Sequence, residues 1–175
     1  KVPVITKLTP NISDITRPAR AARAGGSDAI SLINTIQSVI GVDLDTFVSS
    51  PSVDGKSTNG GYCGPAVKPI ALNKRKNCAQ DNHVSIPISG TGGVETWRDA
   101  AEFILLGATS VQVCTAVMHY GLGIIRDLNS GLERYMDEKG FKTIEDFRGK
   151  ALPNILHWED LNLKYNVVAE INADK

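Results

Sequence analysis

A chain of 175 residues with 19 basic and 19 acidic side chains has no charge excess to hold a nucleic acid or an acidic membrane surface. Its 42% hydrophobic share suits one globular core, while no apolar run reaches the roughly 18 residues of a membrane span and no basic-then-apolar leader opens the sequence. Cys63, Cys78 and Cys114 are too scattered for a disulfide framework or a paired-cysteine metal site and fit a reducing cytosol, so a cytoplasmic protein is expected.

In chain order, Val4-Ile5-Thr6-Lys7-Leu8 reads as a short strand closed by the turn residues Thr9-Pro10-Asn11. A helix is expected over 12–24, capped by Asp14, with Pro18 tolerable only near its first turn and Gly25-Gly26 as its stop. Ala29-Ile30-Ser31-Leu32-Ile33 is the next strand and ends at Asn34-Thr35. Residues 36–64 form a long insert rich in Ser, Gly, Asp and Thr, for which a lid or small hairpin is expected. A helix over 66–78 follows, but its second half, Lys74-Arg75-Lys76-Asn77-Cys78, lacks a clear apolar face. A strand over 86–89, a helix over 96–106, a strand over 111–114, a helix over 120–139 and a short helix over 144–147 complete the pattern. Strands alternating with helices imply a parallel sheet of four β/α units with right-handed crossovers.

Two glycine- or small-residue strand ends carry the chemistry. Ile86-Pro87-Ile88-Ser89-Gly90-Thr91-Gly92-Gly93 runs from an apolar strand into a glycine-rich turn, and Ser110-Val111-Gln112-Val113-Cys114-Thr115-Ala116 ends its strand in small residues. Glycines let main-chain N–H groups approach an anion, and a tandem pair on consecutive strands is how the last strands of a β/α barrel hold a phosphate. A plain βα turn would explain the first motif alone; the second favours a phosphorylated cofactor. Lys7 sits at the C-terminal end of its strand, where it either meets an anionic ligand or snorkels outward. Asn34 occupies the same place on the next strand, where an amide suits a heterocycle edge or caps its own turn. The Cys114 thiol has no cationic sequence neighbour to activate it, Cys63 has no evident base, and His83, His119 and His157 lack metal-ligand spacing.

Taken in order, Val4-Ile5-Thr6-Lys7-Leu8-Thr9-Pro10-Asn11, Ser31-Leu32-Ile33-Asn34-Thr35, Gly60-Gly61-Tyr62-Cys63-Gly64-Pro65, Ile88-Ser89-Gly90-Thr91-Gly92-Gly93 and Val111-Gln112-Val113-Cys114-Thr115-Ala116 resemble the FMN-binding barrel of the dihydropyrimidine dehydrogenases. The likeness is to the NAD-dependent bacterial catalytic subunits in particular and to the dihydroorotate dehydrogenases more broadly. The resemblance implies that Lys7 touches the flavin and favours its reduced, negatively charged form. It implies that Asn34 and Thr35 read a uracil or thymine ring, that Gly60 and Gly61 lie beside the flavin, and that Gly92, Gly93, Cys114 and Thr115 cradle the FMN phosphate.

A complete barrel takes about 250 residues, so the chain is expected to be the C-terminal half of a larger one. By the resemblance, 1–149 hold strands five to eight of a partial FMN-binding barrel and 150–175 form an arm toward an absent iron–sulfur domain. The family's general-acid cysteine lies in the missing half, so no catalytic acid is assigned within this chain and the polypeptide alone is expected to be inactive. The implied activity is reduction of the pyrimidine 5,6 double bond with NAD(P)H-derived electrons, delivered by a flavin and iron–sulfur partner subunit. A dihydroorotate dehydrogenase-like fragment, a non-catalytic half-barrel module and a small unrelated phosphate-binding domain are the alternatives.

Overall fold

The structure, a computed structural model, describes residues 2–161. Four strands, β1 (Ile5–Lys7), β2 (Ala29–Leu32), β7 (Ile88–Thr91) and β8 (Ser110–Gln112), pair in the order β1-β2-β7-β8. All three pairings are parallel, with Lys7 opposite Ser31, Ser31 opposite Ser89 and Ser89 opposite Ser110. Between β2 and β7 the insert folds into β3 (Ile36–Ser38), β4 (Gly41–Val42), β5 (Ser49–Ser50) and β6 (Gly60–Tyr62). β3 pairs antiparallel with β6 and β4 with β5, so the expected hairpin is two small ladders, one within the other. Helices α1 (Thr16–Ala24), α2 (Lys68–Gln80) and α3 (Trp97–Leu105) cross between successive sheet strands, and α4 (Thr115–Tyr120) and α5 (Ile124–Lys139) follow β8. Sequential parallel strands with intervening helices form an arc of a β/α barrel. Of the expected C-terminal arm, residues 162–175 lie outside the described residues.

The core lies where the two central strands meet the helices. Ile30, Leu32, Ile88, Ala71 and Phe103 are all buried there. Local chemistry sets the boundaries. Thr96 starts α3 with a capping box: its hydroxyl accepts the Asp99 N–H at 3.3 Å while the Asp99 carboxylate accepts the Thr96 N–H at 2.7 Å. α1 starts at Thr16 rather than at residue 12, because Pro18 has no N–H to give and must fall in the first turn. Asp14 does tie that start, accepting the Thr16 N–H at 2.9 Å and its hydroxyl at 2.7 Å.

Three further boundaries differ from the sequence expectation. The expected 120–139 helix begins only at Ile124, as α5; α4 ends at Tyr120, and the two are separated at Gly121, with φ of 70°, and at the exposed Leu122. The fourth strand starts one residue earlier and ends two residues earlier than expected, at Gln112, so Cys114 lies beyond it. The third strand begins two residues later than expected and ends at Thr91. Gly90 is therefore not a turn glycine: it is buried inside β7, and a Cβ there would stand 2.4 Å from the Phe103 ring.

Glycine at 90 exists to admit Phe103. Gly90→Ala overpacks this contact and is expected to cost about 1–3 kcal/mol, read as a lower urea midpoint with an unchanged slope. β1 and β8 are the two margins of the sheet, and unpaired strand margins promote association. The purified 175-residue polypeptide is expected to elute from size exclusion as dimers or larger species; a monodisperse monomer with a cooperative melt refutes this.

Candidate active site

The C-terminal ends of the four parallel strands open on one cleft. Lys7, Asn34, Gly92, Gly93, Cys114 and Thr115 all line it, and Thr35 joins them. The cavity proper measures about 100 Å³, well under the ~300–1,000 Å³ of whole-ligand pockets, so its size matches an anionic head group with the remainder of a ligand along its mouth.

The wall formed by the β7 and β8 ends is built of main chain. Gly92 and Gly93 have φ of 129° and 73°, conformations that side-chain-bearing residues rarely adopt. Space forbids a side chain as well: a Cβ on Gly93 would meet the Gly64 carbonyl oxygen and the Lys68 Cβ, each at 2.8 Å, and one on Gly92 the Ala71 Cβ at 2.9 Å. The N–H groups of Gly92, Gly93, Val94 and Cys114 make no hydrogen bond among the described residues. Unpaired amides at a strand-to-helix turn form a ready anion cradle.

The opposite wall is built of side chains. Lys7 has no carboxylate partner among the described residues. Asn34 turns its Oδ1 back to the Thr35 N–H at 2.8 Å, the local bond that an asparagine after a strand favours. Its amide nitrogen has no partner there and remains available to the cleft. The side-chain wall and the amide wall line one cavity. The family model described as dihydroorotate dehydrogenase matches residues 1–136.

The chain belongs to the dihydroorotate dehydrogenase family.

Three curated relatives illustrate the range. The chain is 46% identical over 175 residues to the NAD-dependent dihydropyrimidine dehydrogenase subunit PreA of Escherichia coli (strain K12), covering 99% of this chain and 43% of that protein. It is 49% identical over 164 residues to the chloroplastic dihydropyrimidine dehydrogenase (NADP(+)) of Arabidopsis thaliana, covering 91% and 38%. It is 45% identical over 150 residues to the catalytic subunit of dihydroorotate dehydrogenase B (NAD(+)) of Thermococcus kodakarensis, covering 86% and 47%. The chain thus spans less than half the length of each.

Within this dihydroorotate dehydrogenase-family cleft, two residues have structural duties that the sequence motifs did not show. Asn11 looked like turn punctuation. Its Nδ2 donates to the Thr35 carbonyl at 3.2 Å and its Oδ1 accepts the Gln37 N–H at 2.9 Å, so it tethers the segment after β2. Gln112 accepts the Ser31 and Thr91 hydroxyls at 3.1 and 3.0 Å, which fixes its amide across three strands at the floor of the cleft. No local pattern marks either residue, because each acts through strands distant in sequence. Gly60 and Gly61 do not line the cleft. Gly61 lies behind Thr35, and a Cβ there would reach the Thr35 Oγ1 at 2.5 Å. Cys63 and Cys114 are both exposed, and the Thr115 hydroxyl bonds the Cys63 Sγ at 3.3 Å.

An ionic clamp holds the amide wall. Lys68, in the first turn of α2, reaches Asp99 Oδ1 at 2.5 Å and lies 2.8 Å from Glu102 Oε2, close enough for an ion pair though off-line for a hydrogen bond. Burial pushes the Asp99 carboxyl up, but hydrogen bonds from Lys68, Glu95 and Thr96 outweigh it and hold the group below its ordinary value. A depressed carboxylate adds stability above its unfolded pKa and loses it as pH falls through the folded one. Asp99→Ala is therefore expected to cost about 1–2 kcal/mol at pH 7, mainly through the lost cap. That deficit relative to the parent should shrink below about pH 4, as measured by thermal melts across the pH range.

Proposed function

We propose that this chain supplies the flavin- and pyrimidine-binding side of an FMN-dependent oxidoreductase that reduces the 5,6 double bond of uracil or thymine with electrons derived from NAD(P)H. One observation carries the reading: a lysine and a row of main-chain N–H groups, all without partners among the described residues, converge with an asparagine–threonine pair on one cleft. The fit to FMN rests on the amide wall, which has the size and the donors for a phosphate and glycines that a Cβ would obstruct.

When bound, FMN supplies two-electron transfer to a ring carbon. The chain's own residues bind and orient. Gly92, Gly93, Cys114 and Thr115 hold the phosphate end through main-chain N–H groups. Lys7 presents a fixed positive charge to the ring, and Asn34 and Thr35 hydrogen-bond the pyrimidine. Asn11 and Gly61 keep Thr35 in position, one by a hydrogen bond and the other by leaving room for the side chain. Residues 1–149 act as β/α units of the barrel and 150–175 lead toward an iron–sulfur region. The proton donor is a cysteine outside this chain, and the electrons arrive through an NAD(P)H-oxidising partner subunit in the cytoplasm. No helix among the described residues is long and apolar enough to cross a membrane.

Dihydroorotate oxidation is the second reading, favoured by the family description and by the Thermococcus relative. Against it, Lys7 is the one basic residue among those lining the cleft. A substrate carboxylate would compete with the flavin for that charge, whereas a neutral pyrimidine does not.

The native protein is expected to release FMN on denaturation and to reduce uracil or thymine; absence of flavin overturns the proposal, and turnover of orotate or dihydroorotate alone selects the second reading. Lys7→Met in that protein should retain flavin yet lose about 10²-fold in kcat, the scale of a lost charge-stabilising contact. Gly61→Ala, by displacing the Thr35 hydroxyl, should raise KM for the pyrimidine while leaving flavin content unchanged.

A further inference from the structure

A second cleft, of about 510 Å³, lies at the opposite ends of the strands, where β7 begins and before β8 starts. Arg75 lines it from α2, in the stretch whose packing the sequence left unexplained, and Arg148, Thr109, Asn82 and Ser85 stand on its other walls. Arg75 is 2% exposed, among the most deeply buried large side chains of the protein. Its Nε and Nη1 are sealed from solvent with no hydrogen-bond partner, and no residue among those described offers its guanidinium a carboxylate. The tip reaches the turn after α3: a Cβ on Gly107, where φ is 94°, would stand 3.2 Å from Nη2.

Every neighbouring anion is already committed. Asp81 lines the cleft, but its carboxylate is held by Arg20 at 2.6 Å and by the His83 N–H at 2.8 Å. Glu145 pairs with Arg148, which also donates to the Thr109 hydroxyl at 3.3 Å. Cys78 lies beside Arg75 on α2, but burial pushes its thiol up to about 12, so it stays neutral. Burial draws Arg75 down to about 10, which still leaves it charged at neutral pH. A buried cation without a counter-charge is strongly unfavourable.

We propose that this cleft is an anion site anchored by Arg75, which takes a small oxyanion, either inorganic phosphate or a carboxylate, at the N-terminal ends of the strands. Arg148, its charge offset by Glu145, contributes N–H donors, and Thr109, Asn82 and Ser85 contribute neutral polar groups. Nη2, the guanidinium nitrogen beside Gly107 that is not sealed, is the charged donor such an anion meets. The site is separate from the amide-walled cleft and does not depend on the flavin reading.

The test is thermal unfolding of the native protein, with FMN added in excess to occupy the amide wall, at constant ionic strength in chloride, phosphate or acetate. The expected result is a saturable rise in Tm with phosphate or acetate over chloride; which anion acts identifies the source. Arg75→Met should abolish the response and, by removing an uncompensated charge, should melt higher than the parent in chloride. A parent that responds to neither anion, or an Arg75→Met variant that still responds, overturns the proposal. Should the variant fail to fold, anomalous scattering from selenate soaked into crystals of the parent decides: a peak within hydrogen-bond distance of Arg75 supports the site, and its absence overturns it.

Discussion

The parallel register is the constraint on which the rest of this structure depends. Lys7, Ser31, Ser89 and Ser110 stand side by side across the four strands. In a parallel sheet, the residues that end the strands just beyond such a row all emerge at the same rim. That alone brings Asn34, Gly92 and Cys114 to one cleft with Lys7, although more than 100 residues separate the first from the last. The row is also why the floor is polar. Small hydroxyl side chains leave room for Gln112 to lie across the strands, and its carbonyl oxygen satisfies hydroxyls from both central strands. A slip of one residue in any pairing would turn these groups to the helix side.

Rigidity at the rim comes from a different source. A cradle of unpaired amides binds an anion well only if the amides are already aimed, since ordering a glycine turn on binding is costly. Here the turn after β7 is clamped from both sides. α3 is capped by Thr96 and Asp99, and the same Asp99 carboxylate takes the charge of Lys68 from the start of α2. Gly93 lies directly against Lys68, so the ionic pair and the glycine turn form one packed unit. The side-chain wall has a looser analogue in Asn11, which bonds both Thr35 and Gln37 and thereby couples the turn after β1 to the start of the insert.

Much of this was legible in the sequence because strand ends leave local marks. Alternating strands and helices gave the parallel α/β arrangement, and small residues after two consecutive strands marked the cradle. For Lys7 and Asn34 position at a strand end leaves two readings open, and the structure places both side chains along the cleft. What remained hidden acts at long range. Gly90 and Gly92 are two residues apart and look alike in sequence, yet one admits a phenylalanine ring inside a strand and the other bends the chain around a cleft. Composition cannot separate these uses, because both need only the absence of a Cβ. Gln112 and Asn11 were invisible for a related reason: an amide's partners are set by strand pairing, which local pattern does not report. The helix expected over 120–139 starts at Ile124 instead, because apolar spacing continues across Gly121, where the backbone turns.

The two clefts use opposite chemistries for negative charge. At the C-terminal rim the amide donors are backbone, so the chemistry asks only for glycines and small residues at the turn. At the N-terminal ends the charge is that of a buried, side-chain guanidinium, Arg75, in a cleft lined by both apolar and polar side chains. Barrel proteins usually reserve that end for stability, and a buried, unpaired cation there lowers stability unless something compensates it. The irregular stretch 74–80 is therefore better explained by its chemistry than by its helical pattern. Arg75 breaks the apolar face that a barrel helix would normally present, and the break opens onto a polar cleft rather than onto a void. A helix that gives up packing in exchange for a charge needs a ligand to recover the loss, and the cleft beside Gly107 is where that ligand would sit.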